Sequence, residues 1–275
     1  MILFKTTRGW VVEREGKHVS LDERSLDALV AHADLYQHLS GLADRGAALQ
    51  GWDEAELMAP IESQPVWAAG VTYFRSRNAR MSESQDAGGG SFYDRVYVAE
   101  RPELFFKSLP YKVVGPRQAV RLRPDAAWSV PEPELTLLVN SRAEIIGYTV
   151  GNDMSSRDIE GQNPLYLPQA KIYDGSCALG PGIVVQREAL PPSTQIEMNI
   201  LRSGAVAFSG SVALSAMRRD PATLVEYLFR SQAFPFGCFV LTGTGIVPPD
   251  GFTLQPGDDI QIGIEGIGTL VNEVA

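Results

Sequence analysis

The chain has 275 residues, 44% of them hydrophobic, enough apolar mass for one large or two modest domains with a sizeable core. A formal charge of −9 and a pI near 4.9 leave no basic field for nucleic acid or an anionic membrane surface, so a small molecule is the expected partner. Its two cysteines, Cys177 and Cys238, stand far apart without ligand-type spacing, and no apolar span opens the chain; a reducing cytoplasm and buried thiols follow.

Residues 1–60 read as a small α+β domain, separate from a catalytic domain over 61–275. Ile2 to Thr6 and Trp10 to Glu13 are strand-like, with turns at Arg8-Gly9 and Glu15-Gly16. Ser20 and Glu23 have the spacing of a capping box, and Leu26, Leu29, Val30, Ala33 and Tyr36 recur at helical intervals, which predicts one amphipathic helix. His18, His32 and His38, the only histidines, lie here among charged or helix-surface residues, away from any expected cleft.

From Ile61 the composition turns toward β structure. Pro65 to Tyr73 reads as a strand, and Phe74 to Ser84 as a helix carrying Arg75, Arg77 and Arg80. Gly88-Gly89-Gly90, within residues 85–100, suits either a mobile flap over a pocket or a plain surface loop. The run Arg101 to Lys107 then leads into a strand. In it Glu103 precedes an apolar Leu-Phe-Phe wall, where loss of solvent suits a carboxyl to carrying a proton; an ion pair with Arg101 or Lys107 is the alternative.

The densest chemistry lies between Val130 and Gly182. Side chains two apart on a strand share a face, so Glu132 and Glu134, which lead into Leu135 to Val139, aim together. A second strand, Glu144 to Val150, runs into Gly151-Asn152-Asp153, placing a third carboxylate just beyond its end. Three carboxylates at strand ends suit a hard divalent cation such as Mg²⁺ or Mn²⁺, and buried like charges need such a partner. Lys171, in Gln169-Ala170-Lys171, either neutralises the cluster as a structural salt bridge or receives an anionic substrate. Further on, Gln195 to Leu201 and Ala205 to Ala213 are strands joined at Ser203-Gly204, and Asp220-Pro221 opens a helix through Leu224, Tyr227 and Leu228. Thr242-Gly243-Thr244-Gly245 lets backbone amides and the Thr244 hydroxyl approach an anion.

These segments resemble the fumarylacetoacetate hydrolase superfamily. The resemblance is carried by Glu132-Pro133-Glu134, by Gly147 to Asp158, by Lys171 to Gly175 with Leu179 to Ile183, and by the closing Leu241 to Gly245, Pro256 to Asp258 and Ile264 to Leu270. It implies a mostly β, α+β catalytic domain of the mixed β-sandwich or roll type, with Mg²⁺ or Mn²⁺ held by Glu132, Glu134 and Asp153. Many hydrolases of the family carry Asn-Tyr and then His and Glu after the first core strand. Here Thr72 replaces the Asn and Ser76 stands where the His belongs, so hydrolysis by a His-activated water is not supported.

Tyr73 to Arg77, Glu100 to Lys107 and Gly161 to Pro168 are similar to the 2-keto-3-deoxy-D-arabinonate dehydratase branch, a branch of pentose catabolism. That likeness implies a hydro-lyase taking a 2-keto-3-deoxy-pentonate to 2,5-dioxopentanoate through a metal-stabilised enolate, with loss of the C4 hydroxyl, tautomerisation and loss of a second water. Glu103 is expected to move the proton and Lys171 to hold the substrate. Arg75, Ser76, Lys107 and Thr244 are expected to contact it, in a homo-oligomer, a dimer or tetramer. Two other classes stay open: an acylpyruvate or fumarylpyruvate C–C hydrolase or decarboxylase, disfavoured by Ser76, and a non-enzymatic binding protein, disfavoured by the intact carboxylate set.

Overall fold

The computed structural model describes residues 1–23, 25–83 and 90–275. Strands β1 (Ile2–Thr6), β2 (Gly9–Arg14) and β3 (Lys17–Ser20) form a meander, its second turn made at Glu15 and Gly16, both with positive φ. The third strand extends the expected hairpin. Two short helices follow, α1 (Leu26–Val30) and α2 (Leu35–Arg45), where the spacing predicts one. Ser25, and not Ser20, caps α1 by accepting from Asp27 N, and Asp34 caps α2 by accepting from Gln37 N. A cap inside the apolar stripe restarts the helix, and Ala33 is left exposed.

The chain then enters β4 (Val66–Gly70) and the helices α3 (Phe74–Glu83) and α4 (Gly90–Val98). Gly88 and Gly89 of the expected hinge lie outside the described residues; from Gly90 the backbone is helical. After β5 (Glu103–Ser108) come β6 (Val113–Val114), β7 (Ser129–Val130), β8 (Pro133–Val139), β9 (Ile145–Asp153) and β10 (Ser155–Ser156). Asp153 is the last residue of β9, not the first beyond it. Helices α5 (Arg157–Gln162) and α6 (Leu167–Lys171) lead to β11 (Cys177–Val184), β12 (Gln195–Arg202) and β13 (Ala205–Ala213). Helix α7 (Pro221–Phe229), capped by Asp220, precedes β14 (Cys238–Leu241), β15 (Asp259–Ile264) and β16 (Gly268–Glu273).

Ten strands make one sheet in the order β3-β2-β1-β11-β9-β8-β14-β4-β5, with β6 attached to β11; a second sheet runs β13-β12-β15-β16. Alternation along β8 divides the core. Leu135, Leu137 and Val139 face the second sheet and pack with Ile196, Met198, Ile260 and Ile262, whereas Leu138 faces α1 and α2 with Leu26, Leu29 and Leu39. β14 repeats the pattern, with Cys238 and Val240 on one side and Phe239 and Leu241 on the other. Both cysteines are free and buried, and burial pushes each thiol up to about 12.

Because β1 pairs with β11, through Ile2 with Val184 and Leu3 with Ile183, the first 60 residues share their sheet with the rest of the chain. The division at residue 60 is our proposal for how the chain is organised, and any N-terminal domain drawn there contributes three strands to the common sheet. No helix among the described residues is long and apolar enough to cross a membrane.

Candidate active site and metal centre

The site forms at one end of the ten-stranded sheet, where β8 begins, β9 ends and β14 gives way to its glycine-rich turn. In the β8–β9 ladder Pro133 lies opposite Asn152 and Glu134 opposite Gly151, and Asp153 N donates to Glu132 O at 3.0 Å. Residues opposite one another across a ladder share a face. Glu132, Glu134 and Asp153 therefore converge, each offering a carboxylate oxygen, with all three oxygens within 4.8 Å of one another. Gly151, opposite Glu134, lets Thr136 and Leu241 pack close against β9: a Cβ there would collide with Thr136 Oγ1 and Leu241 Cδ2.

All three carboxylates are buried, and three buried cations surround them. Lys171 Nζ lies 2.6 Å from Glu132 Oε2 and 3.1 Å from Asp153 Oδ2. Arg157 Nη2 lies 2.7 Å from Glu132 Oε1, and Lys107 Nζ 2.6 Å from Asp153 Oδ1. Glu134 forms no ion pair among the described residues; its Oε2 accepts from Gly243 N at 2.5 Å. Burial first, then the neighbouring Asp153 and Glu132, hold its carboxyl well above the usual carboxylate range, against the opposing pull of Lys171 and the Gly243 amide. A buried carboxylate without an ion pair, beside two more whose oxygens face lysine and arginine and can also accept a metal, is a donor set that fits a hard divalent ion.

The cavity over these carboxylates is lined by Glu103 and Phe105 from β5, Ser76 from α3, Tyr93 from α4, Glu160 from α5, Lys171, Gly70 and the Gly243-Thr244 turn. Register explains Glu103: it sits opposite Gly70 across the β4–β5 ladder, and its carboxylate lies over that glycine where a Cβ would stand. Ser76 is buried, and its Oγ donates to Tyr73 O at 2.9 Å. Thr72, in the position where hydrolases of this type have Asn, donates to Thr242 O at 2.7 Å and so ties α3 to the turn that holds Glu134.

Glu103, Lys171, Ser76 and Thr244 thus gather with the three carboxylates, while two expected substrate contacts stand elsewhere. Arg75 is exposed on α3, one residue round the helix from Ser76, and its Nη2 donates to Val247 O at 2.9 Å. Lys107 lies beneath the site and is fully buried; its ammonium is taken up by Asp153, Met154 O at 3.0 Å and Lys171 O at 2.5 Å. It supports a carboxylate instead of meeting a substrate. Sequence reasoning missed Arg157, Glu160 and Tyr93. The first two had a signal, an Arg and a Glu three apart on the helix following β10, with Ser155 Oγ donating to Glu160 Oε2 at 2.6 Å.

A family model, Fumarylacetoacetate (FAA) hydrolase C-terminal, matches residues 71–275. The chain is 47% identical over 216 residues to a probable 2-keto-3-deoxyxylonate dehydratase of Haloferax volcanii, covering 78% of this chain and 73% of that one. It is 40% identical over 265 residues to the 2-dehydro-3-deoxy-D-arabinonate dehydratase of Saccharolobus solfataricus, covering 93% and 88%. A solved structure described as 2-keto-3-deoxy-D-arabinonate dehydratase complexed with magnesium and 2,5-dioxopentanoate superposes with a TM-score of 0.85 at 35% identity, over 100% of this chain and 98% of that one.

Proposed function

The chain belongs to the fumarylacetoacetate hydrolase family, and from that premise we propose that it is a Mg²⁺-dependent hydro-lyase converting a 2-keto-3-deoxy-pentonate to 2,5-dioxopentanoate. The observation that carries this reading is the likeness of the whole chain to a dehydratase with magnesium and 2,5-dioxopentanoate bound, around a carboxylate triad that fits such an ion.

Glu132, Glu134 and Asp153 would hold the ion, which supplies Lewis acidity toward a substrate's 2-keto acid end and so makes C3 a better carbon acid. Lys171, 1% exposed, keeps a fixed positive charge beside Glu132 and Asp153, where it would meet a substrate carboxylate or enolate. Glu103 would take the C3 proton and return it to the departing C4 hydroxyl. Ser76 and Thr244 offer hydroxyls to the sugar chain.

Loss of one water across C3 and C4 leaves a compound already isomeric with 2,5-dioxopentanoate. A proton then leaves C5, one arrives at C3 and, on ketonisation of the C4–C5 enol, one arrives at C4. The expected loss of a second water is therefore no part of this reaction, because the atoms balance after the first.

The hydrolase alternative lacks its base: all three histidines of the chain lie outside the cavity, and Ser76 occupies the position where that family would place one. We also propose that the enzyme works in the cytoplasm as a homo-oligomer, supported by exposed apolar side chains such as Tyr111, Leu165 and Val206; sedimentation would measure the assembly. The reaction is tested by incubating Mg²⁺-loaded protein with 2-keto-3-deoxy sugar acids and with acylpyruvates, and weighing the products. Conversion of acylpyruvates alone would replace the dehydratase by the hydrolase.

A further inference from the structure

Conversion of a 2-keto-3-deoxy-pentonate to 2,5-dioxopentanoate takes protons from two carbons, C3 and C5, and Glu103 serves the first of them. A second base must stand where the C5 end of the substrate lies. Among the described residues lining the cavity, five carry carboxylates: the triad, Glu103 and Glu160. With the triad given to the ion and Glu103 to C3, the remaining carboxylate is that of Glu160.

Glu160 is buried and reaches the cavity from α5. That helix is anchored at its first residue: Arg157 N donates to Trp128 O at 2.8 Å, and Arg157 Nη2 lies 2.7 Å from Glu132 Oε1. Residues three apart on a helix share a face and lie about 4.5 Å apart along its axis. Glu160 therefore stands most of a turn beyond the point where α5 grips the triad. The same helix packs against α3, which brings Ser76 to that wall of the cavity. A substrate held by its C1 and C2 oxygens over the triad runs its far end past Glu103 toward this helical wall. Ser155 Oγ donates to Glu160 Oε2 at 2.6 Å. That length falls in the range of about 2.5–2.7 Å for an O–H bound to an ionised carboxylate, so the group is held in one orientation and in its basic form.

We propose that Glu160 is the second catalytic base and takes the C5 proton once the C4 hydroxyl has gone; the assignment rests on the dehydratase reading. Loss of that hydroxyl leaves a 2-keto acid with a C3–C4 double bond and a CH₂OH terminus, whose C5 protons are acidified by conjugation with the C2 carbonyl. Glu160 accepts one of them. The C5–H pair becomes the C4–C5 double bond, the C3–C4 pair moves to C2–C3, and the C2 oxygen takes the charge. As that charge collapses, C3 gains a proton from water and the C4–C5 enol remains. The enol gains a proton at C4 and loses one from its hydroxyl, and Glu160 returns its own proton to water. Two protons leave, from C5 and the enol hydroxyl, and two arrive, at C3 and C4; no oxidant or reductant is needed.

The test compares Mg²⁺-loaded wild type with Glu160→Gln, which keeps the size of the side chain and an acceptor for Ser155 but not the basicity. Given a 2-keto-3-deoxy-pentonate, the variant should still dehydrate it while aldehyde formation falls roughly 10²–10⁴-fold, the range for removing a general base. It should then release 5-hydroxy-2-oxopent-3-enoate, seen by NMR as two vinyl protons in place of the aldehyde. Glu160→Asp, which restores a carboxylate, should recover part of the aldehyde, and direct titration should give all three proteins the same Mg²⁺ affinity. Aldehyde formed at the wild-type rate by Glu160→Gln would overturn the assignment. So would equal loss of dehydration and aldehyde formation in both variants, which would make Glu160 a support of the site. Either result leaves the dehydratase reading standing, because the wild type still makes the aldehyde; a wild type that dehydrates nothing would remove that reading and the C5 task together.

Discussion

Lys107 Nζ lies 2.6 Å from Asp153 Oδ1, both side chains out of reach of solvent, and carbonyls of Met154 and Lys171 take the rest of the ammonium's hydrogen bonds. A lysine so fully engaged sets the position of a carboxylate. Lys107→Met would leave Asp153 without that partner and two carbonyls without a donor, at a cost of about 3–5 kcal/mol in the metal-free protein. Mg²⁺ should raise the melting temperature of this variant more than that of the wild type, and calorimetric scans with and without the ion measure both effects. Equal Mg²⁺ increments would show that Lys107 does not hold Asp153 for the ion.

Glu134 is the carboxylate with the greatest need of a cation. Glu134→Gln should weaken Mg²⁺ binding at least about tenfold, about 1.4 kcal/mol, in a direct titration. Chelation should abolish turnover, and Mg²⁺ or Mn²⁺ should restore it. Full activity of the chelated protein would remove the triad from the mechanism.

Glu103 reaches the cavity from β5, whereas the triad comes from β8, β9 and the residue before β8, so metal affinity and proton transfer should separate. Glu103→Gln is expected to leave the Mg²⁺ dissociation constant nearly unchanged while kcat falls roughly 10²–10⁴-fold. In D₂O the wild type should return 2,5-dioxopentanoate carrying solvent deuterium at C3 and C4. An unchanged kcat in the variant would transfer the proton to another group.

Far from the cavity, Arg202 grips buried Asp258 with both Nε and Nη2 at 2.8 Å, and Gln255 N adds a hydrogen bond at 2.9 Å. Burial alone would raise the Asp258 carboxyl; the Arg202 hydrogen bonds, the Gln255 amide and the Arg202 charge together outweigh it, so the pKa lies below its ordinary 3.8. A carboxyl lowered on folding stabilises above its unfolded value and loses that contribution as pH falls through the folded value. Arg202→Met should therefore cost about 2 kcal/mol at neutral pH, the range for a hydrogen bond to a charged group. The gap between variant and wild type should close as pH drops below about 3.8, and denaturant titrations across that window would record it.

The carboxylate triad was legible because its logic is local: two glutamates one residue apart on a strand, and an aspartate at a strand end marked by glycine. Glu103 and Lys171 were legible for the same reason, each sitting in a short, distinctive run. The task of Lys107 was not, since its partners are an aspartate and two carbonyls brought up by chain 46 to 64 residues away. Arg75 misled because neighbours on a helix point about 100° apart, and only one of Arg75 and Ser76 could face the cavity. The break between α1 and α2 was hidden because a helical stripe does not reveal that an aspartate within it will cap instead of continue. Tyr93 lies on a helix in a stretch expected to be loop, and no apolar periodicity announces it.

The pairing of β1 with β11 bears on what a minimal fragment of this enzyme can be. Residues 71–275 carry every group assigned to the chemistry, yet a protein cut to that length would lack β1 to β3, the two covering helices and β4. β11 would present Ile183 and Val184 on a bare edge, and Leu138, Leu179 and Phe239 would lose their cover. An open, apolar edge recruits other chains. The part of the chain that performs the reaction is thus not the part that stays soluble alone, and the N-terminal strands act as its built-in guard against self-association.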